Sequence, residues 1–502
     1  MTFKIGTGAS ATRRMMGTKG LLGSASMGAI AIVASLSLQT ESALARECVL
    51  NGPNLGGANG PGGQTLACGQ NATALGANAT AVGTSAIATG ADSTALGNDA
   101  TAVGANSTAI GEEAFATGLN STAVGENSTA NDSNTTAIGQ SALASGAEST
   151  AIGQSSTATG NNSTAVGQGS TASGENTVAI GENSTASGDS STAIGQSANA
   201  VGSYSTAVGQ NSNATGFNAS AFGQNSNASG FDSTALGTSA NASGTFSTAV
   251  GQNAQATNFN ASAFGQNSNA SGFDSTALGT SANASGSLST AVGQNASASG
   301  SESTAVGQGS SASGNNSTAV GQGSTASGTN ATAVGENSSA SGSFSTALGQ
   351  SANASGSFST AVGQNAQATN FNASAFGQNS NASGFDSTAL GTSANASASY
   401  STAVGVLSNA SGLNSTAVGW GANASASNAT AVGEQSNASG VDSTAIGADS
   451  NASGSFSTAV GQNAQATNFN SSAFGQNSSA SGVESTALGT SSSASGANST
   501  AV

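Results

Sequence analysis

A glycine returns every fourteen residues through most of this chain, and no step slips. The series runs Gly97, Gly111, Gly125, Gly139, Gly153, Gly167, Gly181 and Gly195, and continues through Gly293 and Gly391 to Gly489. Each of these residues closes a pentapeptide of the type Ser-Thr-Ala-Val-Gly. Traced backwards the series reaches Gly83 and Gly69, so about 31 units fill residues 69–502. A strict period of this length marks a stacked-repeat architecture, in which each unit contacts only its neighbours. It outweighs the composition, which taken alone is that of a disordered chain: 72 glycines, 5% charged residues, and mostly Ala, Ser, Thr and Asn besides. A disordered chain has no physical reason to hold a register. A longer duplication keeps the same register. FSTAVGQNAQATNFN begins at Phe246, Phe358 and Phe456, at spacings of 112 and 98 residues, both whole multiples of the unit.

Each unit has two similar halves, as in NNSTAVGQGSTASG at residues 161–174. Seven residues per half suit a strand of about four or five residues and a tight turn. Two halves then make one coil of a flat, two-sheeted roll, and coils stack in parallel at about 4.8 Å each, a rod of roughly 150 Å. Helix is excluded by the recurrent glycine and the Ser/Thr load. The expected fold is an all-β parallel β-roll solenoid of 14-residue coils. A second glycine series lies half a unit out of phase (Gly90, Gly104, Gly118, Gly146, Gly160, Gly174). It is replaced in places by Asp132, Asn258, Asn370, Asn468, Ala398 and Ala426. Asn and Asp tolerate positive φ next best after glycine, so these positions are expected to be positive-φ turns that the two alanines would strain.

Strand residues alternate faces. Ala165 and Ala172 are therefore expected inside the roll, where only small side chains fit. This leaves an apolar column outside one sheet: Val124, Ile138, Ile152, Val166, Ile180, Ile194 and Val208, with Phe222, Phe264, Phe376 and Phe474 further along. The alternative puts the column inside and the alanines outside. An external stripe of this length is too apolar for a solvated surface, and its natural partner is the same stripe of another copy. At the four phenylalanines the same-face neighbour is Ser rather than Thr (Ser220, Ser262, Ser374, Ser472), as expected if the pair fills one limited volume. Tyr204, Phe246, Phe344, Phe358 and Tyr400 fall at turns and are candidate exposed contacts for a ligand. The alternative for these is local packing between adjacent turns.

All five basic residues (Lys4, Arg13, Arg14, Lys19, Arg46) precede the repeats, and the formal charge is −16. The repeats thus have no footprint for nucleic acid or another polyanion. Residues 1–45 read as a signal peptide: basic residues, an apolar stretch at 21–38, then Ala43-Leu44-Ala45 as a small-x-small cleavage site. A membrane anchor is the alternative, weakened by the Gly and Ser that interrupt the stretch. Residues 46–68 are expected to form an N-terminal cap. In an exported chain Cys48 and Cys68 are expected to pair, the alternative being two free thiols. The chain has no His, so a His-based triad or zinc site is excluded. No enzyme, metal site or cofactor is read from it.

The unit Asn-Ser-Thr-Ala-Val-Gly-x-x-Ser-x-Ala-x-Gly resembles the head repeat of YadA-like trimeric autotransporter adhesins, from about Cys68 to Val502. The resemblance implies a left-handed roll, a homotrimeric rod, and display at the cell surface or outer membrane of a Gram-negative bacterium. It also implies attachment to host cells, extracellular matrix or other surfaces. Family heads often carry Val where this chain has Thr94, Thr108 and Thr164, so a trimer core here is expected to be more polar. The family's neck, stalk and membrane anchor have no counterpart, so the chain is expected to be a fragment or a secreted form, with the membrane reached only through a missing C-terminal anchor. A secreted scaffold or biofilm fibre and an ice-binding solenoid are the alternative functions.

Overall fold

A computed structural model describes residues 48–51 and 64–502, and the candidate signal peptide and much of the candidate cap lie outside these. The roll opens with β1 (Cys48–Asn51) and β2 (Thr65–Cys68), which pair antiparallel. From β3 (Thr73–Ala74) and β4 (Thr80–Val82) onward, strands of two and three residues alternate along the chain to Ser493–Ala494 and Thr500–Ala501. The three-residue strands and the final Thr500–Ala501 stack in parallel into one sheet, which with β1 and β2 has 33 strands. The two-residue strands form a second parallel ladder. Register is constant: Thr150, Ala151 and Ile152 pair with Thr164, Ala165 and Val166, and Thr157 and Ala158 with Thr171 and Ala172.

Strands are shorter than the expected four or five residues because each coil must reverse direction twice. In the unit at 164–177 the reversals take Gly167–Ser170 and Ser173–Thr177. Axial hydrogen bonds continue through both reversals, so most of the backbone is bonded from coil to coil. Thr164 N–H donates to the Thr177 carbonyl at 2.8 Å, Gly167 to Ile152 at 2.8 Å, Gly169 to Gln154 at 2.9 Å and Asn176 to Asn161 at 2.9 Å. This satisfies polar groups that a corner would otherwise bury unpaired.

The interior is made only of small side chains. Ser163 and Ala165 from the three-residue strand and Ser170 and Ala172 from the two-residue strand are all fully buried. The alternation of faces therefore places the alanines inside and the apolar column outside. Ser170 Oγ donates to the Gly167 carbonyl at 2.9 Å, and this bond recurs along the same file. In the other file the Oγ atoms of Ser163, Ser149 and Ser121 have no partner, whereas Ser93 and Ser233 at the equivalent position reach the carbonyl three residues back at 2.6 and 2.7 Å.

The second glycine series behaves differently from the expectation. Gly90, Gly104 and Gly174 do not have positive φ; positive φ falls on the first series (Gly167, +136°) and on the residue two places after each glycine (Asn162, +54°; Gly169, +64°). Glycine in the second series answers a steric demand instead. A Cβ at Gly174 would lie 2.7 Å from the carbonyl oxygen of Gly188 in the next coil. Where Ala398 and Ala426 stand, the preceding axial bonds are 3.2 Å (Ser397 to Ala410) and 3.1 Å (Ser425 to Ala438), beside 3.0 Å for Ser411 to Ala424 between them. Neither alanine has positive φ, so the expected φ strain does not arise.

Cys48 lies across from Cys68 in the antiparallel register, Cys68 is disulfide-bonded, and no described cysteine is free.

Candidate functional site

The two sheets share one kind of interior but differ outside. On the three-residue strands the outer positions are Thr and the apolar residue two places on. Thr164 and Val166 are half-buried, as are Val124 and Val208; Ile138, Ile152, Ile180 and Ile194 are exposed, Ile152 at 37%. Phe222, Phe264, Phe376 and Phe474 lie in the same column, each 37–38% exposed. Parallel pairing stacks these residues directly: Val208 on Phe222, and Phe222 on Leu236. Val166 lies between the larger Ile152 and Ile180, and the stripe is continuous. Among the described residues nothing covers it.

On the two-residue strands the first outer position is polar in most coils, Ile87, Phe115 and Leu143 near the N-terminal end being exceptions. Thr157, Thr171 and Thr185 are followed by coils with mostly Asn, and with Ser or Gln in others. Asn381, Asn395, Asn409, Asn423 and Asn437 form an amide ladder, each Nδ2 donating to the next Oδ1 at 2.7 Å, ending on Asn451.

The two edges differ in the same spirit. The edge containing Gly167 carries glutamines and glutamates, with Gln154 Nε2 donating to Gln140 Oε1 at 3.1 Å and Gln168 to Gln154 at 3.2 Å. The opposite edge carries the turn phenylalanines and tyrosines, while Trp420 falls on the glutamine edge. Tyr204, Phe217, Phe231, Phe246, Phe259 and Phe273 form one run with ring centroids 5.2–5.7 Å apart. Phe344, Phe358, Phe371, Phe385 and Tyr400 form a second at 5.1–5.6 Å, and Phe456 meets Phe469 at 5.6 Å. The five candidate contact residues Tyr204, Phe246, Phe344, Phe358 and Tyr400 are therefore at once exposed (Tyr204 at 58%) and packed on neighbouring turns. All five have left-handed backbone, with φ of +58° to +61°. The sequence locates these aromatics at turns, but their strained backbone was not legible there, because the positive-φ place was assigned to the wrong residue of the turn.

Among the described residues no group of three or more Cys, Asp or Glu is placed to hold a metal ion. Nor does any described helix have the length and apolarity to cross a membrane.

The family model for the YadA head domain repeat matches the chain in successive copies from residues 67–93 to 480–502. The chain belongs to the YadA head repeat family. It is accordingly a head of the structural, adhesive kind found in exported bacterial surface proteins. A similar solved structure is the crystal structure of the collagen-binding domain of Yersinia adhesin YadA. It is 30% identical, with 30% of this chain and 69% of that chain covered and a TM-score of 0.20. No curated protein matches.

Proposed function

We propose that the roll is the rod-shaped head of a surface-displayed adhesin, a homotrimer of left-handed rolls that attaches a Gram-negative cell to host cells, extracellular matrix or other surfaces. The observation that carries the trimer is the apolar column from Val124 through Val166 to Phe474. It lies outside a roll whose interior is already filled, over a length no solvated monomer normally leaves uncovered. Family membership supports the adhesive role. In this reading the stripe meets its copies along the axis, while the amide ladders, the turns and the aromatic edge remain for partners. The first coils are closed by β1 and a Cys48–Cys68 disulfide, and residues 1–45 direct export.

The test has two arms. Light scattering on the full chain is expected to give a trimer, and a monodisperse monomer would overturn the assembly. Binding of the full chain to immobilised matrix proteins, collagen among them, and to cultured cells is expected to exceed that of an unrelated solenoid. A blank on every surface would favour a secreted scaffold, and thermal hysteresis at micromolar protein would favour an ice-binding role.

A further inference from the structure

The aromatic edge contains more than rings. Its left-handed column reads Tyr204, Asn218, Asp232, then Phe246, Asn260, Asp274, and later Phe358, Asn372, Asp386, then Tyr400. Ring, amide and carboxylate thus recur in that order on consecutive coils. In each case the amide holds the acid: Asn218 Nδ2 donates to Asp232 Oδ1 at 2.6 Å, and Asn260 to Asp274 and Asn372 to Asp386 at the same distance. The residues just before the amide and the acid are a stacked pair of phenylalanines. Phe217 and Phe231 are 5.2 Å apart at 10°, as are Phe259 and Phe273, and Phe371 and Phe385 are 5.2 Å apart at 11°. Each carboxylate is therefore oriented by an amide and set at a corner lined by rings.

Among the described residues no cation answers these carboxylates. The repeats carry acidic residues throughout, and every Lys and Arg of the chain lies at or before Arg46, outside the described residues. Aromatic faces and carboxylates together favour one kind of group, a planar guanidinium, which stacks on a ring while it pairs with the acid. The continuity of the edge points to a polymer rather than a small cation. Successive carboxylates Asp232 and Asp274 are 42 residues apart, three coils. At about 4.8 Å per coil that is roughly 14 Å, the span of about four residues of extended peptide. The left-handed aromatics add to the argument. Six of them hold φ near +60° at a place where Asn fits without a ring (Tyr204, Phe246, Phe344, Phe358, Tyr400, Phe456), a backbone that bulky residues seldom adopt.

We infer that this edge docks an extended, arginine-bearing segment of a partner protein, with guanidinium groups about four residues apart seated at Asp232 and Asp274 and again at Asp386. The inference deepens the adhesive reading and rests on it for the existence of a protein partner, but not on the trimer.

The experiment titrates the full chain with fluorescent extended peptides carrying two arginines four residues apart, two lysines so placed, two glutamines, or two adjacent arginines. Arginine at the four-residue spacing is expected to bind best, lysine more weakly and glutamine not at all, with affinity falling as salt rises. Asp232→Asn with Asp274→Asn should lower the arginine affinity by about tenfold. Phe246→Asn should also weaken binding while leaving thermal stability level or raised, since it relieves the left-handed strain. Equal binding of the arginine and glutamine peptides would overturn the inference, as would unchanged affinity in the Asp232/Asp274 variant. So would a loss of mass or of stability in Phe246→Asn, which would make the rings packing elements. If that acid variant still adheres to matrix and cells as the parent does, this inference fails while the adhesin reading stands. If the parent itself adheres to nothing, the adhesin reading fails.

Discussion

The outer faces of the two sheets are built on the same backbone and the same interior, yet one is an unbroken apolar stripe and the other is mostly polar, with amide ladders in its later coils. Ala165 and Ala172 are equally buried, and Ser163 and Ser170 likewise. The fold of one coil therefore does not require the difference between Val166 and Ser173. An interior of Ala and Ser buries little apolar area per coil, so axial hydrogen bonding and contact with neighbouring coils carry much of the stability, as in other solenoids. The stripe adds apolar surface that a lone roll cannot bury. The difference between the faces teaches that the sequence encodes two packing problems, one solved within the chain and one left for a second copy.

The comparison breaks most visibly at the stripe. Ile152→Asp, Val166→Asp and Ile180→Asp together are expected to reduce the light-scattering mass to that of a single chain. The same change at Thr157, Thr171 and Thr185, on the polar face, should leave it unaltered. If both triplets behaved alike, the distinction between the faces would carry no assembly. A smaller effect is expected at the N-terminal end, where β1 extends only the sheet that bears the stripe. Cys48→Ser opens a loop of about 20 residues and should cost roughly 3 kcal/mol by chain entropy. Amide exchange should place that loss in the first coils, and uniform protection along the roll would contradict it. Inside, the two sheets should respond equally. Ala403→Leu and Ala410→Leu each overfill an interior of fully buried small side chains and should destabilise by about 1–3 kcal/mol; a marked inequality in the urea midpoints would show that the two layers are not equivalent. The smallest effect belongs to the polar face. Asn409→Ala removes one donor and one acceptor from the amide ladder, for about 1 kcal/mol per bond, and amide exchange around coils 395–423 should report it without a change of mass.

The period, the direction of each strand residue and the exposed position of the column were all legible in the sequence. They follow from local rules: a side-chain alternation of two and an unbroken spacing of fourteen. The role of the second glycine series was not. Asn and Asp replacements suggested positive φ, but the constraint at Gly174 is the carbonyl of Gly188, a contact between residues fourteen apart. The left-handed place is two residues later, at residues such as Asn176 and Asn162. The aromatic edge was half legible. Tyr204 and Phe246 were recognisable as turn residues, whereas their contacts with Phe217 and Phe259 depend on stacking of adjacent coils.

The sequence by itself determined the repeat length, the parallel stacking, the small interior and the sign of the charge, because each is set by spacing or composition within one unit. Only the tertiary structure decided which backbone positions are left-handed, why the second glycine is needed, and how ring, amide and carboxylate align along one edge. These depend on contacts between coils, where residues a full unit apart in the chain come within a few ångströms of one another.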